Sequence, residues 1–277
     1  MRAGDGGHPR RSVGPTRSQV DDVRNQARAI ELFHLAFMQA TSAKLRPEDY
    51  AMKGGGNLRF FLQSGRRSAD VDFDYLGGNF TAFGERLNDL LTGDAIPRLL
   101  RLRNIRAFDV RLRKDNGTTK RWMLKLAREG MPDATTKVEF SNRGEASDPV
   151  LEQADADLAR KLGGIAVRLN HYPPSVAIAQ KVDALLDRNQ TEPRDVFDLD
   201  HLFRQYPDAI GHAGLDPARV RRAAKVAEDI EYDRYRELVQ PYLDEDIVDL
   251  YSTEEAWLDM RIRVVTSLRE RDKRASP

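Results

Sequence analysis

The sequence predicts an α+β fold: a mixed sheet with flanking helices as far as about residue 172, then an all-helical bundle over residues 173–277. Three observations predict it. Short runs that alternate apolar and polar residues, "ADVDFDYL" and "TKVEFSNR" among them, lie between segments of helical period in the first part of the chain. A D-N-G turn at 115–117 separates two further alternating runs, the signature of a hairpin. After Pro174 the alternation stops and every long segment repeats at helical spacing.

Residues 1–16, rich in Gly, Pro, Arg and Ser, read as a mobile tail; no apolar run follows their basic residues, so they do not read as a secretory signal. "SQVDDVRNQARAIELFHLAFMQA" reads as a long amphipathic helix with Ile30, Phe33, Leu35, Ala36 and Phe37 on its apolar side. A short strand leads into Gly54–Gly55–Gly56, "LRFFLQ" reads as a short helix, and "ADVDFDYL" as a strand. "FTAFGERLNDLLTG" and "AIPRLLRLRN" read as helices. The hairpin follows, then the strand "TKVEFSNR" and a last strand in "GIAVRL". Beyond Pro174 come "SVAIAQKVDALLDR", "PRDVFDLDHLFRQ", one long helix from Asp216–Pro217 to "RELV", and "TEEAWLDMRIRVVTSLRERDKR". Asp216–Pro217 is a cap followed by proline in the first turn. The division expected from this pattern is a first domain over 17–172 and a helical domain over 173–277.

Composition excludes several classes. The 277 residues carry 45 basic and 44 acidic side chains, a net +1, so any nucleic-acid surface has to be local. The absence of cysteine removes disulfides, thiolate zinc and thiol catalysis, and suits a reducing cytoplasm, the expected location. No apolar run approaches the roughly 18 residues of a membrane span. His8, His34, His171, His201 and His212 have no metal-ligand spacing and are assigned no chemistry.

The chemistry concentrates in "MKGGGNLRFFLQSGRRSADVDFD". On a strand Asp70, Asp72 and Asp74 project to one face, with Val71 and Phe73 on the other. Stacked carboxylates repel, and a hard divalent cation such as Mg²⁺ reverses that balance. Two such ions can clamp the attacking and leaving oxygens of displacement at phosphorus. D-x-D is a common tripeptide, and a solvated strand edge is the competing reading. The glycines just upstream allow close backbone approach and an anion-binding nest, though alone they are a flexible turn. Neither a P-loop nor a G-x-G-x-x-G fingerprint is present. The order strand, double glycine, helix, Ser-x-Asp-x-Asp sets a phosphate cradle beside a metal site.

That segment resembles the nucleotidyltransferase superfamily, specifically the AbiEii-type toxin branch that includes the MenT toxins. The family's K-G-G-x-x-L segment corresponds to Lys53-Gly54-Gly55-Gly56-Asn57-Leu58, and its R-x-S-x-D-h-D segment, h being apolar, falls within Arg66-Arg67-Ser68-Ala69-Asp70-Val71-Asp72. "TKVEFSNR" resembles a third block, placing Lys137, Glu139 and Arg143. "AQKVDALLDRNQTEPRDVFDLDHL" resembles a fourth, placing Gln180, Lys181, Arg188, Arg194, Asp195 and Asp198. Two departures stand out: Gly56 where a hydroxyl residue is frequent, leaving Ser68 as the candidate for that phosphate contact, and Ala69 where an acid commonly precedes the first metal aspartate.

The resemblance implies a nucleotidyltransferase-like sheet and a Mg²⁺-dependent transferase. Asp70 and Asp72, with Glu139, hold metal; Lys53, Gly54, Gly55, Arg66, Ser68 and Arg188 surround the nucleotide. Lys181 neutralises the leaving pyrophosphate and Asp195 orients or deprotonates the acceptor hydroxyl. Each also has a plainer reading: Lys181 and Arg188 share a solvated helix face, Asp195 complements a helix dipole, and Glu139 is an exposed strand position. The resemblance further implies a toxin of a toxin–antitoxin pair, adding nucleotides from CTP or UTP to the 3′ acceptor end of tRNA. Its cognate antitoxin is a winged-helix regulator or a kinase acting on Ser68. Substitution of Asp70 or Lys181 is expected to stop transfer and leave the protein folded.

Two other functions keep their place on sequence grounds. One is transfer to a small molecule or a protein side chain, the other a non-catalytic NTP- or RNA-binding regulator. Between residues 98 and 128, eleven Lys and Arg face only Asp109 and Asp115, with Trp122 among them. This stretch is either an RNA surface with a stacking ring or a solvated charged face.

Overall fold

The computed structural model describes residues 17–142, 148–188 and 190–275; the tail at 1–16 and Arg143 lie outside the described residues. Helix α1 (Arg17–Lys44) buries Phe33, Leu35, Ala36 and Phe37 completely, as its apolar spacing requires. Strand β1 (Tyr50–Lys53), helix α2 (Gly54–Phe60), strand β2 (Val71–Tyr75) and helices α3 (Phe80–Thr92) and α4 (Ala95–Arg101) follow. The hairpin is β3 (Ile105–Asp115) and β4 (Thr119–Arg128), with Asn116 Oδ1 accepting from the amides of Thr118 and Thr119 to close its turn. Then come β5 (Ala134–Ser141), β6 (Val150–Gln153), helix α5 (Ala156–Lys161) and β7 (Arg168–His171). The rest is helical: α6 (Pro174–Asp187), α7 (Pro193–Gln205), α8 (Pro217–Glu228), α9 (Tyr232–Leu238) and α10 (Glu254–Ala275).

The strands form one sheet in the order β3-β4-β5-β2-β1-β7-β6. It is mixed, because β2 runs parallel to β5 and β1 parallel to β7 while the other neighbours are antiparallel. One face is apolar: Phe73 stacks on Phe140 with ring centroids 4.7 Å apart, and Tyr50, Phe83 and Phe37 close around them. A second apolar cluster gathers Ile178, Val182, Leu199, Tyr235, Trp257 and Val264 from α6 to α10. Helix α2 and the turn after it join the two, sending Phe60 into the first and Leu58 and Leu62 into the second.

Several boundaries differ from expectation. Helix α2 starts at the glycines themselves, with Gly54 at φ +65°, a conformation an L side chain would strain. Asp70 sits in the bend before β2 rather than within it. The last strand begins at Arg168, downstream of "GIAV", because it pairs with β1 and β6, and β6 had left no periodic signal. The long helix expected after Asp216 is two, α8 and α9, broken at Asp229–Glu231; Ile230 there drops into the second core. Asp216 does cap α8, its carboxylate accepting from the Arg219 amide at 2.9 Å.

A charged clasp ties α1 and α2 to the segment after α9. Arg59 Nε donates to Glu31 Oε1 at 2.5 Å, and its Nη1 to Asp244 Oδ2 at 2.6 Å. Arg67 reaches the same two acids, at 3.5 and 2.9 Å.

Beneath the sheet His34 is fully buried, its Nε2 3.2 Å from Thr136 Oγ1, whose hydroxyl donates to the Ala69 carbonyl at 2.8 Å. Burial pushes its pKa down to about 3, against a smaller upward pull from Asp72. The folded value lies below the unfolded one, so its stabilising contribution is whole above pH 6.5 and fades as pH falls toward 3. Relative to His34→Gln, which cannot titrate, the wild type should lose about 1.4 kcal/mol per pH unit between pH 6 and 5. Urea unfolding of both proteins at those two pH values reads the difference; equal losses would mean His34 is not held neutral.

Candidate active site

The second face of the sheet is polar, and strand register explains why. Lys53, Asp72, Glu139, Arg121 and Lys114 are successive partners across β1, β2, β5, β4 and β3. Cross-strand partners share a face, so these five form a row opposite Val71 and Phe73, both fully buried. Asp72 and Glu139 are thereby fixed as neighbours although 67 residues separate them.

At the centre of this face stands Lys137, two residues before Glu139. Its Nζ lies 3.1 Å from Asp72 Oδ1, 3.5 Å from Asp70 Oδ2 and 3.8 Å from Glu139 Oε2. Burial works against its charge, but the three carboxylates outweigh it and raise its pKa. Burial raises the pKa of Asp70, only partly offset by Lys137 and Arg194, with Asp72 adding to the rise. Glu139 is held more closely by Arg121 Nε, at 2.5 Å. Among the described residues no three His or carboxylate groups are gathered tightly enough to hold a metal ion. The donor set nonetheless fits one: it is all oxygen, it suits a hard divalent cation, and a positive charge already sits where the acids converge.

Asp74, third of the alternating run, takes no part in this cluster. Lys53 Nζ donates to it at 2.5 Å and the Tyr172 hydroxyl at 2.9 Å. Lys53 is thus engaged beside the acids rather than free.

The glycines press against the same groups. A Cβ at Gly54 would lie 3.3 Å from Asp72 Oδ2; one at Gly55 would lie 2.6 Å from Ser68 Oγ and 3.2 Å from Arg66 Nη2. Gly55 is therefore the place where α2 touches both Ser68 and Arg66. Ser68 is buried and donates to the Asp70 carbonyl at 2.7 Å, bracing the bend that carries Asp70.

From Arg66 a buried ion network runs into the helical bundle. Arg66 grips Asp198 with two bonds, of 2.9 and 2.8 Å. Lys181 Nζ lies 2.6 Å from Asp198 Oδ2 and 3.1 Å from Asp195 Oδ1, and Arg188 Nε 3.3 Å from Asp195 Oδ2. Burial alone would raise the pKa of Asp198; Arg66 and Lys181 together pull it below the ordinary carboxylate range. Asp195 and Asp198 are fully buried and Lys181 nearly so. In this state Lys181 and Asp195 act on each other, and neither faces open solvent where a pyrophosphate or hydroxyl would be.

Four residues outside the candidate list belong here. Lys137 was quoted in the third sequence block, and its i,i+2 spacing from Glu139 would have placed it on the same face. Arg194, in the first turn of α7, pulls the Asp70 pKa down, and its buried Nε has no hydrogen-bond partner among the described residues. Tyr242 is close enough for Asp70 to raise its pKa, after burial, the larger cause. Arg121 reaches Glu139 through a strand pairing that no local pattern announces.

The basic stretch requires a correction. Trp122 cannot stack on a base: it is buried in the first core, its Nε1 donating to Asn88 Oδ1 at 3.2 Å. Lys120 is buried too, paired with Asp115. On β4 even-numbered residues face the core and odd-numbered ones the acidic cluster, so only part of the charge lies on the polar face. A cleft of about 1040 Å³ lined by Arg24, Arg28, Arg67, Asp200, Asp244 and others contains none of the candidate residues. Among the described residues no helix is long and apolar enough to cross a membrane.

Comparison with known proteins gives the family and the fold. Residues 36–275 match the family model described as "Nucleotidyl transferase AbiEii toxin, Type IV TA system". No curated protein matches significantly. Among solved structures the chain is similar to MenT4, the nucleotidyltransferase toxin Rv2826c from Mycobacterium tuberculosis H37Rv, at 20% identity and TM-score 0.56, covering 94% of this chain and 93% of that one. It is also similar to JHP933 from Helicobacter pylori, at 18% identity and TM-score 0.54, covering 90% and 95%. A further H. pylori protein is 18% identical with TM-score 0.57, covering 88% and 96%.

Proposed function

The chain belongs to the AbiEii nucleotidyl transferase toxin family, and from that premise we propose that it transfers a nucleotide, CTP or UTP being the donor, to the 3′ acceptor end of tRNA with the help of Mg²⁺. It is a nucleotidyltransferase, and as a toxin of a toxin–antitoxin system it has an NTP substrate and a cognate antitoxin. The finer assignments are our reading. Cytoplasmic action follows from a tRNA acceptor.

One observation carries the site: Asp70, Asp72 and Glu139 converge on one positive charge, next to the close approach of Gly54 and Gly55. Bound by Asp70 and Asp72, and by Glu139 if it leaves Arg121, a divalent ion supplies stabilisation of the negative charge that grows on the phosphoryl and leaving oxygens. Gly54 and Gly55 let the triphosphate approach the backbone, with Lys53 alongside. Ser68 fixes Asp70 through its carbonyl. Arg66, Asp198, Lys181, Asp195 and Arg188 act as a rigid brace that sets the first turn of α7, and with it Arg194, beside Asp70. Arg194 lies close enough to Asp70 to lower its pKa and has a buried Nε without a hydrogen-bond partner among the described residues, so we assign it the charge of the departing pyrophosphate. Catalysis of this kind is mostly positioning and electrostatics.

RNA as acceptor is supported by the row that runs outward from the acids. Arg121 and Lys114 continue it toward the sheet edge, and Arg111 and Lys125 lie on the same face in neighbouring rows. These side chains put basic groups, Lys114 beside the ion-paired Arg111, Arg121 and Lys125, on the face that carries the carboxylates, where RNA phosphates can exchange with their acid partners. The test incubates the purified protein with total RNA, Mg²⁺ and each labelled NTP. Label should appear on tRNA, and a Lys114→Glu/Lys125→Glu variant should lower RNA affinity about tenfold or more, and more steeply at low salt. Label only on an added small molecule or protein would replace the acceptor; no transfer with tight NTP binding would leave a regulator.

A further inference from the structure

Lys137 meets all three carboxylates of the cluster, at 3.1, 3.5 and 3.8 Å. Those are ion-pair distances, whereas a hard divalent ion would draw carboxylate oxygens to about 2.0–2.6 Å. Ammonium and divalent ion therefore compete for the same oxygens of Asp70 and Asp72. Backbone pairing does not allow Lys137 to leave the cluster: β5 is locked between β2 and β4, with Val138 opposite Val71 and Met123 opposite Lys137. Only the end of the side chain can move, and its four-carbon stem and rotatable donors permit it. The side chain is 21% exposed, so the way out toward solvent is open. Glu139 already has Arg121 at 2.5 Å, so Asp70 and Asp72 are the pair that depends on Lys137.

We propose that Lys137 is the counter-ion of the metal-free site, that a divalent cation displaces its ammonium from Asp70 and Asp72, and that the released ammonium meets the phosphates of the incoming nucleotide. The inference rests on the metal reading above. Two consequences follow from the exchange. Without metal each acid of the cluster has a cationic neighbour and part of its charge is offset, so the fold bears no stacked, unpaired carboxylates. Metal and nucleotide then favour each other, because the nucleotide offers Lys137 a new anion when the metal has taken the old ones.

The experiment measures Mn²⁺ binding by electron paramagnetic resonance without nucleotide, in the wild type, Lys137→Met, Lys137→Arg and Asp72→Asn. Lys137→Met should bind Mn²⁺ about tenfold more tightly, an ordinary size for coupling between two ligands of one protein. The same variant should bind a non-hydrolysable NTP analogue more weakly and melt earlier in EDTA, with Mn²⁺ restoring the melting temperature. Lys137→Arg, which keeps the charge, should stay near wild type in Mn²⁺ affinity, and Lys137→Gln serves if the methionine variant does not fold. Mn²⁺ affinity unchanged or weakened in the neutral variants, with Asp72→Asn still losing the ion, would overturn the role of Lys137 and leave the metal reading standing. Mn²⁺ bound equally by wild type and Asp72→Asn would remove both.

Discussion

Asp72→Asn should lower nucleotidyl transfer by roughly 10²–10³-fold, the scale found when one pre-set electrostatic group is removed from a transition state. Asparagine keeps the shape and the strand, so the β2 ladder to Lys53 and Glu139 is undisturbed. Lys137 retains Asp70 at 3.5 Å and Glu139 at 3.8 Å, and stability in EDTA should change by less than about 1 kcal/mol. The comparison that gives this result meaning is Asp74→Asn. Asp74 sits on the same strand face, but Lys53 and Tyr172 hold it. Its loss should reduce activity at least about ten times less than the loss of Asp72. Transfer rates of the two variants at saturating Mg²⁺ and NTP decide the matter; equal effects would mean the acid cluster does not divide between 72 and 74.

Lys181→Ala should unfold the protein more easily by about 3–5 kcal/mol, the cost of breaking a buried ion pair by removing one partner. Sequence reasoning expects this variant to lose activity and keep its fold. The structure changes that expectation, since Lys181 is buried between Asp195 and Asp198. Asp198 keeps Arg66, but among the described residues Asp195 keeps Arg188 at 3.3 Å without an aligned hydrogen bond, and a weaker pull from Arg66. The double variant Lys181→Met/Asp195→Asn removes charge from both sides and should be less destabilised than Lys181→Ala. Urea midpoints of the single and double variants provide the check, and an unchanged midpoint for Lys181→Ala would show that the network carries no weight. Activity lost in Lys181 variants therefore has to be read against the fraction folded.

What sequence could and could not reveal follows from the range over which each signal acts. Alternation in "VDFDY" placed Asp72 and Asp74 on one face and Val71 and Phe73 in the core, because side-chain direction along a strand is a local property. The D-N-G turn placed the hairpin, and Asp216–Pro217 placed the start of α8, for the same reason. The basic stretch misled because charge was counted without regard to face: Trp122 and Lys120 belong to the buried side of β4. Asp74 shares the strand face of Asp72, but what holds it there is out of local reach: its partner Tyr172 lies 98 residues away. Arg66 and Arg188 looked like ligand contacts and are engaged by Asp198 and Asp195.

The sequence by itself determined the helical and strand segments with strong period, the hairpin, and the identity of the acids and glycines that a phosphate-transfer site requires. Tertiary structure alone decided which of those charges face one another: that β2 lies beside β5, so Glu139 and Lys137 meet Asp72, and that α6 and α7 bury Lys181 against Asp195 and Asp198. The physical reason is that a residue's own neighbours set its backbone and the direction of its side chain, whereas the charge it meets depends on strand order and helix packing, which arise from burial summed over the whole chain.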